Sequence, residues 1–364
     1  MSDLLYSIKG FDHCELYVSN AKQTAHYYRT TMGFQPIAYR GLETGNRNCV
    51  SYVLNQDRVN LVITSPLEKN TKVGAHIDRH GDGIKDVAFT VDDAEVAWET
   101  SLARGAKSVM DPKEIKDDDG EAVVSAIQTF GDTIHTFVER KNYKGSFLPG
   151  FESNDLGLKA DPTGLVHIDH VVGNQPENNM IEICEFYENI FGWHRFWTID
   201  DEDITTEFSS LRSVVVANDN EIIKIPINEP APGLKKSQIQ EFIDYYGSAG
   251  IQHIALSTKN IIQTVKIMRE NGVEFLETPS TYYKDLSNRV GDIDEDINTL
   301  SELGILADRD ENGYMLQIFT NPIQDRPTLF LEIIQREGSN SFGKGNFKAL
   351  FESIEKEQEK RGNL

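Results

Sequence analysis

The sequence contains little cysteine, fewer basic than acidic residues and no long apolar run. Its three cysteines, Cys14, Cys49 and Cys184, are widely spaced and odd in number, so we expect buried, reduced thiols rather than a disulfide framework. The formal net charge of −22 argues against nucleic acid or an anionic membrane as a partner, because both are bound through an excess of Lys and Arg. No segment approaches the roughly 20 apolar residues of a membrane span, and the N-terminus lacks the apolar core of a signal peptide. We therefore expect a cytoplasmic protein.

The two halves of the chain repeat one pattern of segments. The pair Asp-His occurs in a strand-like run at 12–13 and again at 169–170, and each run is followed by a helical segment that ends at glycine. Later segments, 83–89 and 250–256, also match. Self-similarity at this length indicates duplicated domains of strand–helix–strand units.

A linker separates the two repeats. Residues 146–162 are rich in Gly, Asn, Asp and Pro, which is typical of a connecting loop. We predict an α+β protein with one domain at residues 1–150 and a second at residues 151–364.

Three apolar, strand-like segments of the second half each carry one potential metal ligand: His170, His253 and Glu332. Two neutral imidazoles and a carboxylate form a facial triad, which leaves about three positions of an octahedral Fe(II) open. Side chains alternate between the faces of a strand, so His167 is expected to face away from His170. The same rule turns Gln252 away from His253, and neither neighbour is expected to bind the metal.

His13, Asp86 and Glu139 hold similar positions in the first half. Such a set could bind a second divalent ion. However, Asp86 replaces an imidazole with a harder, anionic ligand, which would weaken selectivity for Fe(II). A scaffold role without metal is therefore favoured, and a second metal site is the alternative.

The order of these units and the repeated Asp-His strand resemble the vicinal oxygen chelate superfamily and, over the full chain, its 4-hydroxyphenylpyruvate dioxygenase family. The segments that carry the resemblance are 41–45, 168–174, 226–230, 236–240, 250–256, 317–320, 330–336 and 342–347. The resemblance implies paired βαβββ modules that form an open barrel in each domain, with a non-catalytic first domain and a catalytic second one. It also implies one Fe(II) per chain, bound by His170, His253 and Glu332, and a homodimer or homotetramer.

The resemblance further implies which residues line the substrate pocket. The polar residues of the catalytic pocket would be Ser213, Asn228, Gln238 and Gln317. The substrate-binding residues would be Pro226, Phe319, Phe342 and Phe347. In the C-terminal segment, the apolar spacing i, i+3, i+4, i+7 predicts an amphipathic helix with a stripe formed by Phe347, Leu350, Phe351 and Ile354. After the glycine-rich turn at 343–345, this helix could close over the pocket as a lid.

The reaction that the resemblance implies is the conversion of 4-hydroxyphenylpyruvate and O2 to homogentisate and CO2, in tyrosine and phenylalanine catabolism. The 2-oxo acid of the substrate would chelate the iron through two oxygens. Three alternatives stay open: hydroxymandelate formation from the same substrate, extradiol cleavage of a catechol, and a metal-free binding protein of the superfamily. The Pro-Ile-Asn and Gln-Ile-Phe segments favour homogentisate over hydroxymandelate.

Overall fold

A computed structural model describes residues 5–154, 160–199 and 210–364. The elements of the first half are β1 (Ile8–Tyr17), α1 (Ala21–Met32), β2 (Gln35–Arg40), β3 (Cys49–Gln56), β4 (Val59–Pro66), α2 (Lys72–His80), β5 (Gly83–Val91), α3 (Ala94–Ala103), β6 (Lys107–Asp117), β7 (Gly120–Gln128), β8 (Ile134–Arg140) and β9 (Glu152–Ser153). Those of the second half are β10 (Leu165–Asn174), α4 (Met180–Phe191), β11 (His194–Ile199), β12 (Ser210–Ala217), β13 (Lys224–Ala231), α5 (Gln238–Tyr246), β14 (Gly250–Thr258), α6 (Ile261–Glu270), α7 (Leu286–Val290), α8 (Ile297–Leu303), β15 (Leu306–Arg309), β16 (Tyr314–Phe319), β17 (Phe330–Glu337) and α9 (Phe347–Arg361). Within these ranges no helix combines the length and the apolar character needed to cross a membrane.

Two mixed β-sheets with the same strand order form the framework. The first sheet runs β6-β7-β8-β5-β1-β4-β3-β2-β9, and the second runs β11-β12-β13-β10-β14-β17-β16-β15. Apart from the short β9, the positions correspond one to one when the second sheet is read in the opposite direction. Each sheet curls into a half-barrel built from two βαβββ modules, as predicted. β9 pairs Glu152 with Tyr39 of β2, so the first sheet includes residues just beyond 150.

The first helix of each half ends at a glycine that the backbone requires. Gly33 and Gly192 have φ angles of 74° and 65°, in the left-handed region that glycine adopts at little cost. At Gly33 a Cβ would also lie 2.5 Å from the carbonyl oxygen of Asp161. These turns return the chain to the sheet at once, and the next strands begin within two residues.

One hydrophobic core joins the two halves. Across it, the Phe89 ring lies 5.9 Å from the Trp193 ring and 6.3 Å from the Phe191 ring, measured between centroids. The three cysteines are free thiols: Cys14 and Cys184 are buried as expected. Cys49 is only partly buried, because it begins β3 beside an exposed turn.

Candidate metal centre and substrate pocket

A β-bulge in β10 orients His170. The register of β10 against β14 shifts between Ile168 and His170, so Asp169 is the extra residue of the bulge. Asp169 Oδ1 therefore lies 2.7 Å from His170 Nδ1. This hydrogen bond makes Nδ1 the donor and leaves Nε2 free to bind a metal. His167 lies outside the group, and its Nδ1 is 2.7 Å from Ser257 Oγ.

A second bulge, in β14, contradicts the expectation that Gln252 faces away from His253. The register with β10 shifts beside His253, and Gln252 is the extra residue. Gln252 Oε1 lies 3.0 Å from His253 Nδ1, so the amide orients the second imidazole with its Nε2 free. The expectation was wrong because strict alternation fails where one strand carries an inserted residue.

β17 brings Glu332 to the same point. Glu332 Oε2 lies 3.2 Å from His170 Nε2 and 3.3 Å from His253 Nε2, and all three side chains are buried. The three donor atoms lie within 4.8 Å of one another. Two imidazole nitrogens and one carboxylate oxygen are the donor set of non-haem Fe(II) sites, so these residues fit that ion.

The electrostatics of the triad favour a cation. Burial alone would raise the pKa of Glu332, but attraction by His170 and hydrogen bonds from both imidazoles lower that pKa to about 2. Burial lowers the pKa of His253 against the opposing hydrogen bond to Glu332, whose carboxylate accepts it. For His170, burial is outweighed by Glu332 and Asp169, which raise its pKa. The Glu332 carboxylate is therefore ionised, and its negative charge beside two imidazole nitrogens favours a divalent cation.

Aromatic rings surround the two imidazoles. Phe330 stacks on His253 with centroids 4.7 Å apart, and Phe319 meets the same imidazole edge-on at 6.0 Å. Phe342 meets His170 edge-on at 5.0 Å. Two of the predicted aromatic residues, Phe319 and Phe342, thus contact the triad directly. The sequence reasoning missed Phe330, although it stands two residues before the triad carboxylate and so shares its strand face.

Amide side chains form two pairs next to these rings. Gln252 Nε2 donates to Gln238 Oε1 at 3.4 Å, which extends the bulge contact to the start of α5. Asn346 Nδ2 donates to Gln317 Oε1 at 3.2 Å, and its own Oδ1 accepts a hydrogen bond from Tyr282 at 2.5 Å. Asn346 was also missed, because its Gly-Lys-Gly-Asn context indicates only a turn.

The remaining predicted residues share one face of the barrel. Ser213 and Asn228 lie opposite each other on β12 and β13, and both are buried. Their neighbours Val214 and Ile227 belong to the main core, so alternation turns Ser213 and Asn228 to the inner face. Pro226 lies on that face two residues before Asn228. The structure therefore groups these three residues on the strands next to β10.

Helix α9 packs over the pocket aromatics. Leu350 belongs to the same buried cluster as Phe319, and Phe347 and Phe351 belong to a second cluster with Trp197. The Phe347 ring stacks on Trp197 with centroids 6.1 Å apart. The predicted apolar stripe therefore faces the barrel.

The glycine-rich turn before α9 is closely packed. Gly343 has a φ of 76°, and a Cβ on it would collide with Gln317 Oε1. A Cβ on Gly345 would collide with Asp308 Oδ1. Gly343 therefore requires glycine for its left-handed φ, whereas at Gly345 the Asp308 side chain could move aside.

Comparisons with known proteins agree with this geometry. Residues 5–149 match the family model for the N-terminal part of hydroxyphenylpyruvate dioxygenase, and residues 167–318 match that of the glyoxalase/bleomycin resistance protein/dioxygenase superfamily. The chain is 51% identical to 4-hydroxyphenylpyruvate dioxygenase of Xenopus tropicalis, over 98% of this chain and 93% of that protein. It is 50% identical to the protein of the same name from Dictyostelium discoideum, over 98% and 100%. This chain belongs to the 4-hydroxyphenylpyruvate dioxygenase family.

A solved structure outside the dioxygenases shares the fold of the family. A mutant of 4-hydroxymandelate synthase from Streptomyces coelicolor superposes on this dioxygenase-family chain with a TM-score of 0.85, covering 96% of this chain and 99% of the synthase. Its sequence identity is 31%, well below the 51% shared with the Xenopus dioxygenase. The fold alone therefore does not separate the two reactions.

The first half of this dioxygenase-family chain keeps the triad geometry but not its chemistry. Asp12 Oδ1 lies 2.7 Å from His13 Nδ1, in a bulge like that of β10, and Asp86 takes the position of the second histidine. Strand register places Thr136, and not Glu139, at the position of the triad carboxylate. Glu139 instead accepts a hydrogen bond from the first backbone N–H of α3. The match of Glu139 to Glu332 was wrong because it relied on residue identity. The hydrogen bonds between strands set the register, and this register aligns Thr136 with Glu332.

A second group of ligand-type side chains, His76, His80 and Asp132, lies where the halves meet. His80 Nδ1 donates to the carbonyl oxygen of Tyr246 at 2.6 Å, and its Nε2 lies 2.8 Å from Asp132 Oδ2. Arg79 also pairs with that carboxylate oxygen at 2.7 Å. These contacts connect α2 to the end of α5 and to Asp132, and they already give the carboxylate oxygen two partners.

Proposed function

We propose that this chain is an Fe(II)-dependent dioxygenase that converts 4-hydroxyphenylpyruvate and O2 to homogentisate and CO2, in tyrosine and phenylalanine catabolism. The buried triad of His170, His253 and Glu332, in a chain 51% identical to a 4-hydroxyphenylpyruvate dioxygenase, carries the proposal. One Fe(II) per chain is the cofactor. Residues 151–364 form the catalytic domain, and residues 1–150 form the non-catalytic domain.

The chain contributes metal binding and ligand orientation. His170 and His253 would hold the ion through Nε2, and Glu332 would hold it through its carboxylate, so that three protein ligands leave room for the 2-oxo acid and O2. Asp169 and Gln252 fix the tautomers of the two imidazoles. When bound, Fe(II) supplies the activation of O2 and the redox changes for decarboxylation and ring hydroxylation.

The pocket orients the aromatic ring of the substrate. Phe319 and Phe342 hold that ring through offset or edge-on contacts, each contributing about 0.5–1.5 kcal/mol beyond area burial. The polar partners of the phenol hydroxyl and the 2-oxo acid are Ser213, Asn228, Gln238 and Gln317. A buried amide left without a partner costs about 1–3 kcal/mol, so these groups favour a substrate that carries the hydroxyl. Pro226 and Phe347 complete the wall, and α9 excludes water.

Hydroxymandelate formation is the second candidate, because the chain superposes on 4-hydroxymandelate synthase. That reaction uses the same substrate but hydroxylates the benzylic carbon. The higher identity to the dioxygenases and the segments 226–228 and 317–319 favour homogentisate.

Product analysis tests the proposal. The purified chain is incubated with Fe(II), ascorbate, O2 and 4-hydroxyphenylpyruvate, and the products are separated by chromatography. We expect one homogentisate and one CO2 for each O2 consumed. Formation of 4-hydroxymandelate would favour the second candidate, and a lack of substrate consumption would contradict both. The variant Glu332→Ala, treated in the same way, shows whether turnover depends on the triad.

We also propose a homodimer or homotetramer in the cytoplasm, with neither nucleic acid nor membrane as a partner. The net charge of −22 supports the last point, because it repels polyanions. Analytical ultracentrifugation at physiological salt would distinguish the two assemblies, and a monomer would contradict the proposal.

A further inference from the structure

Arg336 connects the metal centre to the segment that leads into α9. Its Nε and Nη2 donate to the two carboxylate oxygens of Asp169 at 2.8 and 2.9 Å. Its Nη1 donates to the carbonyl oxygens of Ser339 and Ser341 at 3.2 and 2.6 Å. The guanidinium carbon also lies 5.5 Å from the centroid of the Phe342 ring. The rigid, planar guanidinium of Arg336 therefore contacts both Asp169 and the segment that leads into α9.

The groups that Arg336 holds are also those that contact His170. Asp169 accepts the hydrogen bond from His170 Nδ1, and the Phe342 ring meets the His170 ring edge-on. Asp310 also stabilises the turn. Its Oδ2 accepts hydrogen bonds from Ser339 Oγ and from the backbone N–H groups of residues 340 and 341, at 2.7–3.0 Å. A continuous path of hydrogen bonds therefore connects the His170 imidazole to the turn.

We propose that Arg336 is a positioning residue that couples iron binding at His170 to closure of the turn 339–347 over the pocket. The inference rests on the proposed function, because it takes His170 as an iron ligand. The bidentate contact fixes the Asp169 carboxylate, and that carboxylate fixes the imidazole. The contacts to the turn hold Phe342 against the same imidazole. Because coupling between two sites is reciprocal, iron tightens the turn and a closed turn tightens iron binding.

The first half offers a matched control. Arg140 pairs with both carboxylate oxygens of Asp12, and Asp12 contacts His13 as Asp169 contacts His170. Arg140 Nε donates to the carbonyl oxygen of Phe147 at 3.2 Å, and the Phe147 ring meets His13 edge-on at 5.1 Å. The local packing is thus duplicated in a half for which we propose no iron. If iron is lost only because an arginine in this packing has been removed, substitution of Arg140 should cause the same loss as substitution of Arg336.

The test compares Arg336→Met and Arg336→Lys with Arg140→Met and Arg140→Lys, all as iron-loaded protein. Iron retention is measured by dialysis against increasing concentrations of a chelator. Closure of the turn is measured as the rate of trypsin cleavage after Lys344, which lies in the turn and is exposed. We expect Arg336→Met to lose half its iron at a roughly tenfold lower chelator concentration, the effect typical of removing a partner of a metal ligand. We also expect cleavage after Lys344 to become several-fold faster.

The Arg336→Lys variant is a second test, which can still be made if Arg336→Met fails to fold. Lysine keeps the charge but cannot contact Asp169 and the turn at once, so Arg336→Lys should show a smaller loss in the same two measurements. Both Arg140 variants should retain iron and resist cleavage after Lys344 like the unmodified chain. The inference is overturned if the Arg336 variants match the unmodified chain, or if the Arg140 variants show the same losses. The product formed by the unmodified chain tests the reaction separately, and iron loss in Glu332→Ala tests the iron site itself.

Discussion

Each imidazole of the triad has its own hydrogen-bond partner at Nδ1, and that partner orients the Nε2 atom of the same ring. Asp169 holds His170 with a charged acceptor, whereas Gln252 holds His253 with a neutral amide. Both partners reach their histidine because a bulge places two consecutive side chains on the same face. At the scale of single residues, the site therefore depends on two inserted positions as well as on three ligands.

Removal of any one ligand should abolish iron binding. For His170→Ala, His253→Ala or Glu332→Ala, we expect iron affinity to fall by more than the roughly 10–100-fold that follows loss of an outer partner, and turnover to be lost with it. The fold should persist, because a small side chain in a polar barrel interior causes limited destabilisation. Iron content and circular dichroism of each variant provide the measurement. Full activity in any of the three would contradict the assignment.

At the scale of elements, α9 covers the aromatic residues beside the triad. Its apolar stripe packs on the pocket aromatics, while its opposite face carries exposed residues such as Lys348. The close fit of Gly343 against Gln317 ties the start of the helix to the pocket. We therefore propose that the helix takes part in both substrate binding and water exclusion.

Deleting residues from Phe342 onward should raise KM and uncouple O2 consumption from homogentisate formation, because water then reaches the metal centre. The truncated chain should still bind iron, since the triad lies upstream, but the coupling through Arg336 proposed above predicts a lower affinity for iron. Phe347→Ala should reproduce part of the effect, as one aromatic contact of roughly 1 kcal/mol changes binding several-fold. Steady-state kinetics with an oxygen electrode and product analysis measure both quantities. Lys348→Ala, on the exposed face of the same helix, is the control, and unchanged KM with full coupling in the truncated chain would rule out a lid.

At the scale of the whole molecule, the chain consists of two similar barrels. The second barrel contains side chains that can bind a metal, whereas the first is filled by apolar side chains. Phe147, Leu148 and Phe151 belong to the buried cluster of the first barrel. Thr136 replaces the carboxylate there, and its hydroxyl donates to Asp86. The halves are joined by a common core, and the buried His135 packs against Phe89 and Tyr187 of that core.

The duplication leads us to expect one iron per chain. His13→Ala and Asp86→Asn should each leave this stoichiometry unchanged, because neither residue belongs to the proposed iron site. Metal analysis of anaerobically reconstituted protein provides the measurement. Two tight sites in the unmodified chain, or loss of iron in either variant, would instead support a second metal site.

Acid should destabilise the joined halves through His135. Burial lowers the pKa of His135 to about 4 against the opposing hydrogen bond to the carbonyl oxygen of Val87, and its Nε2 lies 2.8 Å from the Tyr187 hydroxyl. The unfolded chain, with a pKa near 6.5, binds a proton that the folded chain does not, so stability falls as the pH drops from 6.5 towards 4. At pH 5 the loss is about 2 kcal/mol.

The variant His135→Gln keeps a donor and an acceptor but does not titrate. The difference in the free energy of unfolding between pH 7 and pH 5, measured in urea, should therefore be about 2 kcal/mol smaller than in the unmodified chain. An identical pH dependence in both proteins would show that the pKa of His135 is the same in the folded and the unfolded chain.

The sequence by itself determined the α+β class, the duplicated module order and the three triad residues, because these follow from local spacing and from a pattern that repeats. Tertiary structure decided which neighbours face the metal. Gln252 turned inward because a bulge interrupts alternation, and Thr136 rather than Glu139 matches Glu332 because register depends on hydrogen bonds between distant strands. The contacts of Asn346 and Arg336 likewise arise only when β16, β17 and the C-terminal turn meet, since nothing in their local sequence specifies those partners.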